Sequence, residues 1–300
     1  MKKYLTLLIA LLLFLEINAQ NISKKADSLR KIGKIYLAIK EYGKVYKKNL
    51  KNRNNTYNLA CAYAITKQLD SAFFYLNTAL KNDSSVRPLT DPDFYFLIND
   101  SRWTKIEKFL IKNTEAKYGK YRDIELSKKL WQMKIKDQAF YYHISVASKL
   151  LDRKSPINNA LWELKAKINN QNLRDLDSII NKYGYPQKTV VGGIASQTPF
   201  FVIQHADIDV QKRYLPMMKK AAKEKEMSRA AFAYLTDRIN LQDGKKQIYG
   251  TQITQKEDGT YLVQDLKEPE KVNKRRKAVG LPPIEGYLKR WNIKWTIKQK

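Results

Sequence analysis

The apolar positions of residues 22–85 recur in a helical rhythm that then repeats itself. In "GKIYLAIKEYGKVY" and "KQLDSAFFYLNTAL", Ala38 and Ala72, Tyr42 and Leu76, and Val45 and Ala79 each stand 34 residues apart, as do Gly33 and Lys67. Apolar residues spaced three and four apart form one face of an α-helix. Small residues between large ones let paired helices approach closely. Leu59, Ala60 and Tyr63 supply the first helix of the second unit, and Ala72, Leu76, Ala79 and Leu80 its second. "DPDFYFLINDSRWTKIEKFL" continues the pattern, with Ser101 expected to cap a helix carrying Trp103, Ile106 and Phe109.

From Asp123 a new pattern begins. Leu126, Leu130, Met133 and Ile135, then Ala139, Tyr142, Val146 and Leu150, keep near-helical spacing until Ser155-Pro156 interrupts it. "LRDLDSIINKYGYP" predicts a short amphipathic helix stopped by Gly184 and Pro186. Thr198-Pro199 predicts the cap and first residue of the next helix. A helix from Val210 to about Glu224 follows, and Ser228 caps another with Ala231, Tyr234, Leu235 and Ile239 on one face. The period then changes. "KQIYGTQITQ" and "TYLVQDL" flank the turn "KEDG", predicting a β-hairpin near residues 247–266 with Gly259 in the left-handed conformation. "PEKVNKRRKAVGLPP" predicts a helix with basic last turns and Gly280 as its stop. The fold class expected is mostly α: a short helical repeat region plus an α-rich C-terminal domain with one β-hairpin.

The 34-residue period and its small–large–small pattern resemble the tetratricopeptide repeat, over residues 22–112 if the capping helix is included. That resemblance implies a groove for a protein or peptide partner; the alternative is a scaffold that only packs on the rest of the chain. A second resemblance, within a domain expected over residues 123–300, is to a family of bacterial domains of unknown function. It rests on the pair Asp137-Gln138, "YGYP" (Tyr183 to Pro186), "VGGIAS" (Val191 to Ser196) and "QHADID" (Gln204 to Asp209). "LTDRI" (Leu235 to Ile239), "QIYGTQ" (Gln247 to Gln252) and "RRKAVGLPP" (Arg275 to Pro283) complete it. That family tends to carry Trp where Tyr185 stands, and an Arg soon after the Asp-Gln pair, where this chain reads "AFYYH". The resemblance implies a fold neighbourhood and no mechanism.

Residues 1–19 have the layout of a secretory signal peptide: Lys2 and Lys3, then the apolar run Leu5 to Leu15, then a small residue, Ala19, before an expected cut at Gln20. The expected location is therefore periplasmic or secreted, with no transmembrane segment left after cleavage. Lys and Arg number 57 against 29 Asp and Glu, a net charge of +28. Only 13 of the 57 are Arg, the side chain best suited to planar recognition of phosphates and bases. A dedicated nucleic-acid role is thus disfavoured, and solvated lysine faces account for the charge. Cys61 stands alone, so no disulfide can form within the chain. It reads as core.

Candidate chemistry lies in the polar motifs. His205, Asp237 and Arg238 are the candidate catalytic residues of a metal-independent hydrolase, with His205 as general base and Arg238 stabilising developing charge. Gln204, Asp207, Gln247, Tyr249 and Gln252 are candidate ligand-binding residues for a small polar or anionic ligand. The competing reading makes the same residues architectural: His205 ending a buried helix, Asp237 capping the hairpin entry, and Gly250 serving a bulge or close packing. His205, Asp207 and Asp209 share a face only in an extended segment and have no second ligand pair, so no metal and no cofactor is expected. His143 reads as a packed or surface residue. Function is accordingly expected to be an exported interaction module, with the hydrolase as its alternative and a nuclease or toxin-like activity behind both.

Overall fold

The structure, a computed structural model, describes residues 21–152 and 155–299, so the expected signal peptide lies outside the described residues. The chain is mostly α-helical with a single two-stranded antiparallel hairpin among the described residues. It forms two compact units. One comprises residues up to 120 together with 134–167; the other comprises 121–133 together with residues from 168 onward.

The first unit opens with α1 (21–31), α2 (Ile35–Lys48), α3 (Arg53–Ile65) and α4 (Leu69–Leu80). Their buried positions obey the 34-residue offset: Ala38 and Ala72, Tyr42 and Leu76, and Val45 and Ala79 are all shielded from solvent. The turns obey it too. Gly33 and Lys67 both take left-handed backbone, at φ 84° and 58°. The Gly33 amide donates to Arg30 and that of Lys34 to Leu29; 34 residues on, Lys67 donates to Ala64 and Gln68 to Tyr63. These are the closing bonds of a helix C-terminus, with the left-handed residue just beyond the last turn. One local sequence pattern has produced one backbone twice.

Two 3₁₀ turns, Arg87–Thr90 and Pro92–Phe94, lead to α5 (Trp103–Tyr118). Asp100, not Ser101, serves its N-terminus, taking the Arg102 amide at 2.9 Å and bonding the Arg102 guanidinium as well. A carboxylate that also pairs with a cation outcompetes a serine hydroxyl there. The apolar spacing from Leu126 to Leu150 resolves into α6 (Ile124–Gln138) and α7 (Tyr141–Leu150), separated at Phe140, which takes φ 70°.

The expected short helix near residue 173 is instead the end of α8, which runs unbroken over 28 residues from Pro156 to Tyr183. Its first half has reversed polarity, which hides it from a search for buried apolar stripes. Asn158 and Lys165 are buried, the Asn158 amide donating to the Asp152 carbonyl at 2.8 Å and the Lys165 ammonium to that of Asp137. Ile157, Trp162 and Leu164 stand exposed at 57, 49 and 38%.

In the second unit, α9 (Lys188–Ala195), α10 (Thr198–Ile203), α11 (Ile208–Lys223) and α12 (Arg229–Gln242) follow. Thr198 makes no capping bond to its own helix; its hydroxyl donates to the Leu130 carbonyl at 3.0 Å and pins α10 to α6. Ser228 caps α12 as expected, accepting from Ala231 at 3.3 Å. β1 (Ile253–Gln255) pairs with β2 (Tyr261–Val263), Ile253 opposite Val263, and Gly259 turns at φ 82°. The strands are shorter than the alternation suggested, because residues 247–252 form a loop instead. The last helices, α13 (Val272–Ala278) and α14 (Ile284–Leu288), close a small core of Val272, Ile284, Tyr287 and Leu288 against the hairpin.

Candidate functional site

The loop Gln247–Gln252 is where three of the polar motifs meet. Its backbone donors converge on Asp237, which is completely buried on α12: Oδ1 accepts from Ile248 at 2.7 Å and from Tyr249 at 3.0 Å. Oδ2 accepts from the Thr251 amide at 3.0 Å and its hydroxyl at 2.9 Å. The loop's carbonyls are met just as fully. Arg275 Nε donates to Ile248 at 2.7 Å, Arg276 Nη1 to Tyr249 at 2.7 Å and Gly250 at 3.3 Å, and the Tyr287 hydroxyl to Thr251 at 2.7 Å. An irregular loop without a ladder must satisfy each buried N–H and C=O some other way. Here side chains do it. Gly250 is required, at φ 65° with a Cβ position only 2.9 Å from Ile284 Cδ1. Burial lifts the Asp237 carboxyl above its ordinary range, against the pull of its four donors.

Gln247, also fully buried, holds the other end. Its side chain donates to the carbonyls of Gln252 and Gln264 and accepts from the Gln252 amide at 2.8 Å. Gln252 turns its own amide to Tyr234 and Thr251. The groups of Asp237 and Gln247 that would meet a substrate are thus committed to the backbone. Tyr249 is half-buried, with burial raising its phenol.

"QHADID" forms the elbow between α10 and α11. The amides of His205 and Ala206 close the last turn of α10, and Asp207 occupies the N-cap position of α11 without making a capping bond. His205 is half-buried; Asp207 and Asp209 are exposed. Arg238 reaches this elbow, donating to the Gln204 carbonyl at 2.8 Å. Gln211 joins from α11, donating to the Ala206 carbonyl at 2.8 Å. Adjacent residues on a helix point apart, so Asp237 serves the 247–252 loop while Arg238 serves the elbow. α12 ties the two motif clusters together.

The first unit contains a different concavity. The face of α3 is covered by the chain's own 91–94 turn: the Tyr57 hydroxyl donates to Asp91 at 2.8 Å, and Arg30 pairs with Asp93 at 2.5 Å. Beside this turn lies a cavity of about 200 Å³ lined by Asp93, Tyr95, Phe96, Gln138, Phe140 and His143, among others. The Phe140 ring lies 4.9 Å from Tyr95, 6.1 Å from Phe96 and 5.6 Å from His143. Burial holds the His143 imidazole below its ordinary pKa, against the pull of Asp93. Its Nδ1 is buried without a hydrogen-bond partner among the described residues.

Cys61, Asp91 and Asp93 bring their ligand atoms within 4.8 Å of one another, as a metal site would. Asp93 already carries the Arg30 guanidinium, and burial raises the Cys61 thiol well above its ordinary value. A neutral thiol and a paired carboxylate make this a hydrogen-bonded knot rather than a ready cation site.

The family model described as "Family of unknown function (DUF6624)" matches residues 124–300. The chain belongs to this family. No curated protein and no solved structure matches it significantly. Within the DUF6624 region, the residues singled out from sequence divide between the loop and the elbow. The cavity-lining Gln138, Phe140 and His143 also fall in that region. Gln138 stands in the Asp137-Gln138 pair, and Phe140 and His143 in the "AFYYH" segment, a histidine among aromatic residues. The spacing could not show that Phe140 breaks the helix there and turns His143 toward the α3 side.

Proposed function

We propose that this DUF6624 protein is an exported interaction module that holds a helical segment of a partner protein on the outer face of α8. The observation that carries this reading is the reversed polarity of that helix. Burying Lys165 and Asn158 while Ile157, Trp162 and Leu164 face solvent is unfavourable for an isolated chain, since each buried polar group must be matched and each apolar one stays wet. Ile157 and Leu164 share one side of the helix while Trp162 stands apart from them, and an exposed apolar strip is the usual mark of a docking surface. Ile157, Leu161 and Leu164 stand four and three apart, the spacing at which two helices interlock.

The α1–α4 segment supports a tetratricopeptide-like reading through its 34-residue offset in both burial and turn geometry. Its α3 face is filled by the 91–94 turn, so the partner is assigned to α8 rather than to a repeat groove. Export rests on the Lys2-Lys3 and Leu5–Leu15 pattern. Among the described residues no helix is long and apolar enough to cross a membrane.

The test places a photo-crosslinking amino acid at Leu161 in the full chain, in cells that make the protein. A discrete cross-linked protein species is expected, and it should vanish in Ile157→Glu/Leu164→Glu with the thermal midpoint unchanged. A cross-linked homodimer would reassign the face to self-association. Absence of any cross-link, or one indifferent to the double substitution, would overturn the reading.

A further inference from the structure

The cavity beside His143 is lined by none of the exposed α8 residues, and its chemistry points to a ligand of its own. Three features make it more than a packing defect. The first is size: at about 200 Å³ it exceeds the roughly 150 Å³ apolar cavity known to stay dry and admit benzene. The second is its wall, in which Tyr95, Phe96 and Phe140 meet edge to face at 4.9 to 6.1 Å. Aromatic edges and faces arranged this way suit a further ring. The third is its polar content. Neutral imidazole has one donor and one acceptor, and the Nδ1 of His143 stays buried and unmatched among the described residues. A buried polar nitrogen left alone is costly, so such atoms mark where something is missing.

The backbone agrees. Phe140 holds φ 70°, a conformation an aromatic residue rarely adopts, and by doing so it forms part of the cavity wall. Strain of this kind gathers at ligand clamps. The electrostatics narrow the ligand class. Asp93 is the carboxylate on the wall and Arg30 pairs with it at 2.5 Å, so a cation finds no uncompensated countercharge; among the described residues no Lys or Arg lines the cavity for an anion, and the Lys67 ammonium is engaged 4.5 Å over the Phe96 ring.

We propose that this cavity binds a neutral six-membered aromatic ring carrying one hydroxyl or N–H donor, with the ring among Tyr95, Phe96 and Phe140 and the donor on His143 Nδ1. The cavity is a second site, lined by none of the exposed α8 residues.

Benzene and phenol test it, since they share a ring and differ by one donor. Titration calorimetry on the mature chain should show saturable phenol binding about tenfold tighter than benzene, the share of one hydrogen bond to a buried acceptor. His143→Phe should bring phenol down to the benzene level. Ala139→Leu, which adds bulk to the lining, should weaken both. Equal affinity of wild-type protein for the two probes would overturn the role of Nδ1, and that comparison needs no variant to fold. No saturable binding of either probe would show that the cavity holds only water and would overturn the proposal outright.

Discussion

Asp237 Oδ2 accepts both the amide and the hydroxyl of Thr251, at 3.0 and 2.9 Å, across fourteen residues of sequence. That carboxylate organises the loop on which the hairpin and α13 are built. In Asp237→Asn the new NH₂ faces backbone N–H groups, leaving buried donors unmatched. The expected cost is about 3–5 kcal/mol, as for breaking a buried charged network. Thr251→Val removes one of the four donors and should cost about 1 kcal/mol. Urea unfolding of both variants checks the ratio; equal, small losses would mean that the loop does not depend on Asp237.

The equivalent turn residues Gly33 and Lys67 predict opposite signs. Gly33→Ala places a Cβ 2.5 Å from Val146 Cγ1 on a left-handed backbone, and should destabilise by about 1–3 kcal/mol. Lys67→Gly relieves the left-handed strain and should gain up to about 1 kcal/mol. The Lys67 ammonium sits 4.5 Å over the Phe96 ring, and losing that contact offsets part of the gain. Thermal midpoints of the two variants moving the same way would contradict the equivalence.

Asp91 should give the protein an acid-favoured component of stability. Burial and the neighbouring Asp93 push its carboxyl up to about 6 from an ordinary 3.8, while the Tyr57 hydroxyl pulls it down. Between about pH 4 and 6 the folded chain holds a proton that the unfolded chain has released, so stability falls as pH rises through that window. His143 acts with the opposite sign: its pKa is lowered, so the unfolded chain is protonated first as pH falls below its ordinary 6.5, and stability falls with it. Asp91→Asn should remove about 1–2 kcal/mol of the acid-favoured component, read as the wild-type-minus-variant difference between pH 7 and 4.5. A difference that stays flat over that range would exclude the raised carboxyl.

The proposed export predicts a mature N-terminus at Gln20. N-terminal sequencing of protein recovered from an extracytoplasmic fraction should begin "QNISKK". Protein that retains Met1 and stays in the cytoplasm would refute the expectation.

Much of the fold was legible because its causes are local. The helices of the repeat region follow from i, i+3, i+4 spacing, and even the turn hydrogen bonds recur at the 34-residue offset. Gly259 marks the hairpin because a tight turn needs a left-handed residue there. α8 was half hidden because the buried groups of its first half are Asn158 and Lys165, whose partners are carbonyls of other segments, and no periodicity announces a polar interior.

The polar motifs show where sequence stops. The residue types by themselves said that His205, Asp237, Arg238, Gln247 and Gln252 were chemically capable; the same types serve a substrate or a backbone. Only the tertiary structure decided which partner each one faced. Asp237 met the loop amides, Arg238 the Gln204 carbonyl and Gln247 the Gln252 backbone, while His143 was left beside a cavity with one nitrogen unmatched. The physical reason is range. Helix and turn preferences act over a few neighbouring residues, but hydrogen-bond satisfaction and enclosed space are set by groups distant in the chain that come together only on folding.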